Sequence, residues 1–194
     1  MAANYLQSLD WRNQPEIMKH IITFYTKAKS FDSLSLFYDA CAQVEIDEYK
    51  NYEKALGALK ESGKYMTKAK LPGKETKILQ IKKRIALIEQ FLSAKKLLVA
   101  TPEEAINMCK EMAERPDIEE AVRAGDVYAL LVEHFYSQRK PQQAFEITEK
   151  MRQRRIPLLY FLDKEVVVAV YKAVGASIDL ASEEEADDAI KEEI

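Results

Sequence analysis

The 194-residue chain sets 29 Lys and Arg against 32 Asp and Glu, a formal net charge of −3, and holds only 5 Gly and 6 Pro, about half the usual combined share. Ala, Leu, Glu, Lys and Arg together make 92 of the 194 residues, the level of long helical chains. Because these residues lose little rotamer freedom in a helix, composition excludes a β-rich fold, a glycine-built phosphate cradle and a largely disordered body. The length suits one domain with a sizeable core. No stretch approaches the ~18 apolar residues of a membrane span. The opening Met1-Ala2-Ala3-Asn4-Tyr5 reads as no secretory signal. Cys41 and Cys109 make no disulfide framework, so a reducing compartment is expected.

In chain order, Asn13 as cap, Pro15 in the first turn and Glu16 predict a helix start. Ile17, Ile21, Phe24, Tyr25 and Ala28 then share one face. After a break near Lys29-Ser30, Leu34, Phe37, Tyr38, Cys41 and Val44 form a second apolar face. Tyr52, Leu56, Leu59, Gly63 and Met66, and again Ile78, Ile81, Ile85, Ile88 and Leu92, step by threes and fours. Leu71-Pro72-Gly73 stops the chain between them. The spacing predicts two long antiparallel helices over about 49–99, packed along a 3–4 seam.

Thr101-Pro102-Glu103-Glu104 reads as a capping box with Pro at the first helical position, opening a fifth helix. Pro116-Asp117 ends it. A sixth helix is expected over 126–138, with Val127, Leu130, Leu131, His134 and Phe135 inward. Pro141 opens a seventh, which Ile156-Pro157 closes. An eighth runs over about 164–174 up to Gly175. Its Glu165–Val170 stretch is β-branched enough for a strand, but no second strand candidate exists to pair with it, so helix is preferred.

Several helix pairs share a spacing. Tyr25 is followed by Phe31, Leu34 and Tyr38 at +6, +9 and +13, and Phe135 by Pro141, Ala144 and Thr148 at the same steps. Tyr52, Ala55 and Leu59 repeat the second half, as do Pro102, Ala105 and Cys109. This resembles a degenerate tetratricopeptide repeat, in which a small residue early in the second helix lets two helices approach. The markers 34, 55, 105 and 144 are unevenly spaced, unlike a regular ~34-residue array. The fold expected is therefore all-α: a degenerate tetratricopeptide-like helical-hairpin solenoid of about eight helices over 1–180. A plain well-capped bundle is the alternative.

No catalytic constellation emerges. The sequence lacks G-x-G-x-x-G, G-x-x-x-x-G-K, C-x-x-C and H-E-x-x-H. His20 and His134 border apolar faces, and Cys41 and Cys109 lie on apolar stripes, where free cysteine behaves as a small hydrophobe. Paired acids such as Glu103-Glu104 suit helix starts. No enzyme activity, cofactor, metal or small-molecule substrate is expected.

Charge is unevenly spread. Residues 60–84 carry nine bases (Lys60, Lys64, Lys68, Lys70, Lys74, Lys77, Lys82, Lys83, Arg84) against Glu61 and Glu75, and cover the hairpin tip. Residues 103–120 carry seven acids against two bases. Arg152, Arg154 and Arg155 form a second basic cluster. Solvated helix surface is the plain reading; docking of a partner, acidic at the tip, is the functional one, with Lys60, Lys64, Lys68, Lys70, Lys74, Lys77, Arg152, Arg154 and Arg155 as candidate contacts. Residues 182–194 hold seven acids and one Lys, so 181–194 is expected to be a disordered acidic tail; a solubilising end with no specific role is the plainer reading, and Ser182 as a site for an acid-directed kinase the functional one. Glu149-Lys150-Met151 followed by Arg155-Ile156-Pro157 faintly resembles a pentatricopeptide repeat, making an RNA-binding helical repeat the alternative class. The pattern occurs once, and a pI of about 5.6 lacks the basic footprint of such binders.

Three stretches carry a more specific likeness: Trp11–Lys27 (WRNQPEIMKHIITFYTK), Phe37–Tyr49 (FYDACAQVEIDEY), and Gly125–Tyr128 (GDVY) with Leu131–His134 (LVEH). They resemble the C-terminal tetratricopeptide-like region of the large WD-repeat and tetratricopeptide subunit of intraflagellar transport complex A. The resemblance implies a non-catalytic scaffold in retrograde ciliary transport and ciliary entry of membrane cargo. It implies other tetratricopeptide-rich subunits and cargo adaptors as partners, and residence in the cytoplasm, the cilium and the ciliary base. It also implies a piece of a longer chain, since family members carry N-terminal β-propellers. Neither nucleic-acid binding nor membrane insertion is expected.

Overall fold

The computed structural model describes residues 6, 7, 9–12 and 14–193, and it divides into two compact units, Met1–Leu92 and Ser93–Ile194. Among the described residues there is no strand. In the first unit, α1 (Pro15–Lys27), α2 (Phe31–Asp47) and α3 (Tyr52–Lys68) are followed by α4 (Lys74–Ala100), which runs on into the second. Pro15 takes the first helical position as expected, with Gln14 as N-cap; Asn13 lies outside the described residues. Asn51 caps α3 by accepting from the Lys54 N–H at 3.1 Å.

Apolar burial joins α1 to α2. Trp11, Ile21, Tyr25, Leu34, Phe37 and Cys41 form one cluster, with Trp11 edge-on to Phe37 at 5.0 Å. Helices α2 and α3 lie antiparallel, and their small buried residues decide how closely. The Ser35 hydroxyl donates to the Ser62 carbonyl at 2.9 Å and lies 3.0 Å from the Ser62 hydroxyl, with both serines almost wholly buried. Helix α3 also packs antiparallel to α4 as far as Phe91. Tyr52 meets Phe91 edge-on at 4.7 Å, and a Cβ on Gly63 would lie 3.4 Å from Ile81. The expected long hairpin is therefore present.

The second unit continues with α5 (Pro102–Ala113), a 3-10 turn (Ile118–Glu120), α6 (Ala124–Ser137), α7 (Pro141–Gln153), the short α8 (Leu158–Phe161), α9 (Lys164–Ala173) and α10 (Leu180–Glu193). Helix α6 packs against α5 and α7, and α9 against α7. Thr101 is the N-cap of α5, but its hydroxyl meets the Glu104 carboxylate at 3.3 Å instead of a backbone N–H. The β-branched Glu165–Val170 is helical, with Val167 and Val170 buried. Helix α8 was not foreseen. Its Phe161 ring lies on Gly125, where an added Cβ would fall 2.3–2.5 Å from ring carbons, so this contact requires glycine. Arg123 lies over the Tyr160 and Phe161 rings at 5.4 and 5.3 Å, and its Nε donates to Asp126 at 2.8 Å.

Residues Leu180–Glu193 form helix α10, packed against α8. Asp179 caps the helix by accepting from the N–H groups of Ala181 and Ser182 at 3.2 and 3.4 Å. Glu183 accepts from Arg152 Nε at 3.1 Å and from the Leu158 N–H at 3.3 Å, and Glu184 from Lys164 at 2.6 Å. Acids in the first turn also face the positive helix end.

The repeat spacing has a backbone counterpart. The Ser30 N–H donates to the Tyr25 carbonyl at 3.0 Å, and the Lys140 N–H to the Phe135 carbonyl at 2.9 Å. The intervening Lys29 (φ 53°) and Arg139 (φ 55°) are left-handed. This is the αL termination of a helix, with the aromatic residue six positions ahead of the next helix supplying the acceptor. Ile156 bonds Met151 likewise across Arg155 (φ 58°), and Ala176 bonds Tyr171 across Gly175 (φ 71°). A side chain in this conformation costs about 1 kcal/mol that glycine does not. Arg139→Gly is therefore expected to raise stability by about 0.5–1 kcal/mol, read from the urea midpoint. An unchanged or lowered midpoint would contradict this account of the turn.

Candidate interaction surface

The interior is spent on packing. Leu34, Ala55, Ala105 and Ala144, the four marker positions, each have 0% of their surface exposed. Burial pushes the Cys41 thiol up to about 12 and the Cys109 thiol up to about 11, so neither is a thiolate nucleophile at neutral pH. His134 is half-buried, and burial first, then the nearby Lys140, lowers its pKa. Among the described residues no His, Cys, Asp or Glu groups of three or more could hold a metal ion, and no helix is long and apolar enough to cross a membrane.

The tip lysines divide by what they touch. Lys60 pairs with Glu89 at 2.8 Å, tying α3 to α4. Lys64 pairs with Glu61 at 2.9 Å and lies 5.5 Å from the Tyr65 ring centre. Lys74 donates to the Thr67 and Ala69 carbonyls at 3.1 and 3.2 Å, covering the C-terminal end of α3. Arg84 is largely buried and donates to Asp39 at 2.5 Å and to Gln43 at 3.2 Å, tying α4 to α2. Lys68 lies over an aromatic column: Phe31 and Tyr65 stack at 6.2 Å, Tyr65 and Tyr38 at 5.7 Å. Lys70 and Lys77 are exposed and meet no carboxylate among the described residues.

The arginine cluster divides in the same way. Arg152 donates to Glu149 at 3.2 Å and to Glu183 at 3.1 Å. Arg154 reaches from the end of α7 to the end of α5. Its Nη1 donates to the Ala113 carbonyl at 2.7 Å and to the Tyr128 hydroxyl at 2.6 Å. Tyr128 in turn donates to Glu114 at 3.3 Å, and Glu114 also pairs with Lys150. The Lys150 hydrogen bond lowers the Glu114 pKa first, with Arg154 and Tyr128 adding to it. Arg155 is exposed and meets no carboxylate among the described residues.

Two surface features escape sequence reasoning. A cleft of about 370 Å3 opens beside the aromatic column, lined by Lys29, Phe31, Asp32, Lys68, Lys70 and Leu71. A recess of about 1020 Å3 lies between the ends of α4 and α6 and the start of α5, with Val99, Ile106 and His134 on its walls. Val99, 90% exposed, carries the one sequence signal for the recess: an apolar residue at a helix end with no assigned neighbour.

The family model for the IFT140-type C-terminal TPR domain matches residues 32–152. The chain belongs to this family. A second model, for the TPR domain shared by the IFT140 and IFT172 types, matches residues 1–24. Together they run through Phe37–Tyr49, Gly125–His134 and most of Trp11–Lys27, the stretches that carry the sequence resemblance. The family is a tetratricopeptide class, a protein-interaction fold, and its type is that of a ciliary intraflagellar-transport-A scaffold.

Within this member of the family, adjacent arginines have different jobs. Arg154→Ala removes two internal hydrogen bonds and is expected to cost about 1–3 kcal/mol. Arg155→Ala is expected to stay within about 0.5 kcal/mol. Urea unfolding of both variants tests this, and equal losses would contradict it.

Proposed function

We propose that the chain is a non-catalytic interaction module of the intraflagellar transport A complex. In that role it supports retrograde ciliary transport and ciliary entry of membrane cargo, acting in the cytoplasm, at the ciliary base and within the cilium. The observation that carries the reading is the family match over 32–152. That span falls on helix pairs whose inward positions are consumed by packing. What remains for function is surface.

The outward cations are the natural contacts. Lys68, Lys70 and Lys77 on the tip, and Arg155 at the end of α7, face solvent, while Lys60, Lys64, Lys74, Arg152 and Arg154 are first engaged within the fold. Other tetratricopeptide-rich subunits of the complex are the proposed partners, with cargo adaptors as further ones. An extended helical partner with acidic faces is steered by such a surface, and its binding weakens as salt screens the charges.

Affinity capture from extracts of ciliated cells, with this chain as bait and mass spectrometry as readout, tests the proposal. Recovery of the tetratricopeptide-rich subunits of the complex is expected, and less of them with a Lys68→Glu, Lys70→Glu, Lys77→Glu bait. Their absence with a bait shown to be folded by circular dichroism would overturn the reading.

A further inference from the structure

The cleft beside the aromatic column brings several cations next to apolar side chains that also cover the Met66, Ala69 and Ile81 cluster. It opens where α2 begins and α3 ends. Three lysines line it, Lys29, Lys68 and Lys70, against one carboxylate, Asp32, a local charge of 3 − 1 = +2. Asp32 is already engaged as acceptor of the Ser30 hydroxyl at 3.2 Å. Lys29 and Lys70 meet no carboxylate among the described residues. The Lys29 backbone is set by the left-handed turn that ends α1, with φ 53°, and the Lys68 ammonium sits over Phe31 and Tyr65, 5.9 and 5.4 Å from their centres. Phe31 and Leu71, both half-buried, give the lining an apolar component. Three cations thus surround an apolar lining, and nothing among the described residues neutralises Lys29 or Lys70.

We propose that this cleft docks an acidic protein segment bearing one apolar side chain. Its carboxylates meet Lys29, Lys68 and Lys70, and its apolar side chain covers Phe31 and Leu71. A volume of about 370 Å3 lies at the small end of ligand pockets, suiting a short piece of chain and one anchoring side chain. Lys68, seated over two rings, loses less freedom on binding than an unheld lysine would. Charge complementarity selects the acidic partner.

Nucleic acid fits less well. Binding a phosphate backbone needs a track of cations along several phosphates, and here a carboxylate interrupts a set of three. Bases also need an open aromatic face. The Phe31, Tyr65 and Tyr38 rings instead stack on one another, at interplanar angles of 17° and 5°, with Lys68 above two of them.

The inference shares with the proposed function only the premise that the occupant is a protein. The test uses the full chain and a fluorescein-labelled peptide, Glu-Glu-Leu-Glu-Glu, in a polarisation titration. Saturable binding is expected, at least tenfold weaker for Gln-Gln-Leu-Gln-Gln and for Glu-Glu-Ser-Glu-Glu. Lys70→Glu is expected to weaken it at least tenfold. Lys70 has no internal partner, so the fold is retained, as circular dichroism will check. Lys96→Glu, exposed and outside the lining, is expected to leave it within twofold. Equal binding of acidic and neutral peptides, no effect of Lys70→Glu, or equally tight binding of a single-stranded oligonucleotide of the same charge would overturn the proposal. Failure of the peptide with subunit capture intact removes only the cleft. Peptide binding with no subunit captured removes only the complex assignment.

Discussion

The close approach of paired helices governs the rest of this structure. It occurs where a position early in a helix loses all its exposed surface: Leu34, Ala55, Ala105 and Ala144. One turn later Leu59, Cys109 and Thr148 are equally buried, filling the space that the close approach leaves. Buried Ser35 and Ser62 serve the same end between α2 and α3, small enough to admit close contact and hydrogen-bonded to each other so that no polar group is stranded. Interiors built this way are filled by side chains, and burial raises the pKa of their thiols.

The turns follow from that constraint. A helix pair closes quickly only if the first helix ends abruptly, and here Lys29, Lys50, Arg139 and Arg155 adopt the left-handed conformation that does so. Charge is divided between internal ties and free surface. Lys60, Lys74, Arg84 and Arg154 hold elements together. Lys29, Lys70, Lys77 and Arg155 do not, and they are among the cations proposed to meet a partner.

Much of this was legible in the sequence, because helix period and punctuation are local. Pro15, Pro102 and Pro141 each stand at the start of a helix, and Gly175 follows the end of one with φ 71°. The +6 spacing from Tyr25 to Phe31 and from Phe135 to Pro141 marks the shared turn geometry itself. What stayed hidden depends on contacts across the fold. Helix α8 exists because Phe161 can lie on Gly125, thirty-six positions away. Arg152 and Lys164 meet Glu183 and Glu184 of helix α10, ion pairs that composition alone does not show. Arg154 and Arg155 are indistinguishable as letters. They separate only because one is the C-cap of α7 and the other lies just beyond in the left-handed turn. The basic block at 60–84 was visible as a charge, but its division into ties and free cations was not.

The central claim is that helix approach at the buried small positions holds each unit together. Urea unfolding of Ala55→Leu in the first unit and Ala144→Leu in the second tests it most directly, with exposed Gln142→Leu as the control. Overpacking at a wholly buried position is expected to cost about 1–3 kcal/mol, while the control stays within about 0.5 kcal/mol. Losses at Ala55 and Ala144 no larger than that of the control would contradict the account.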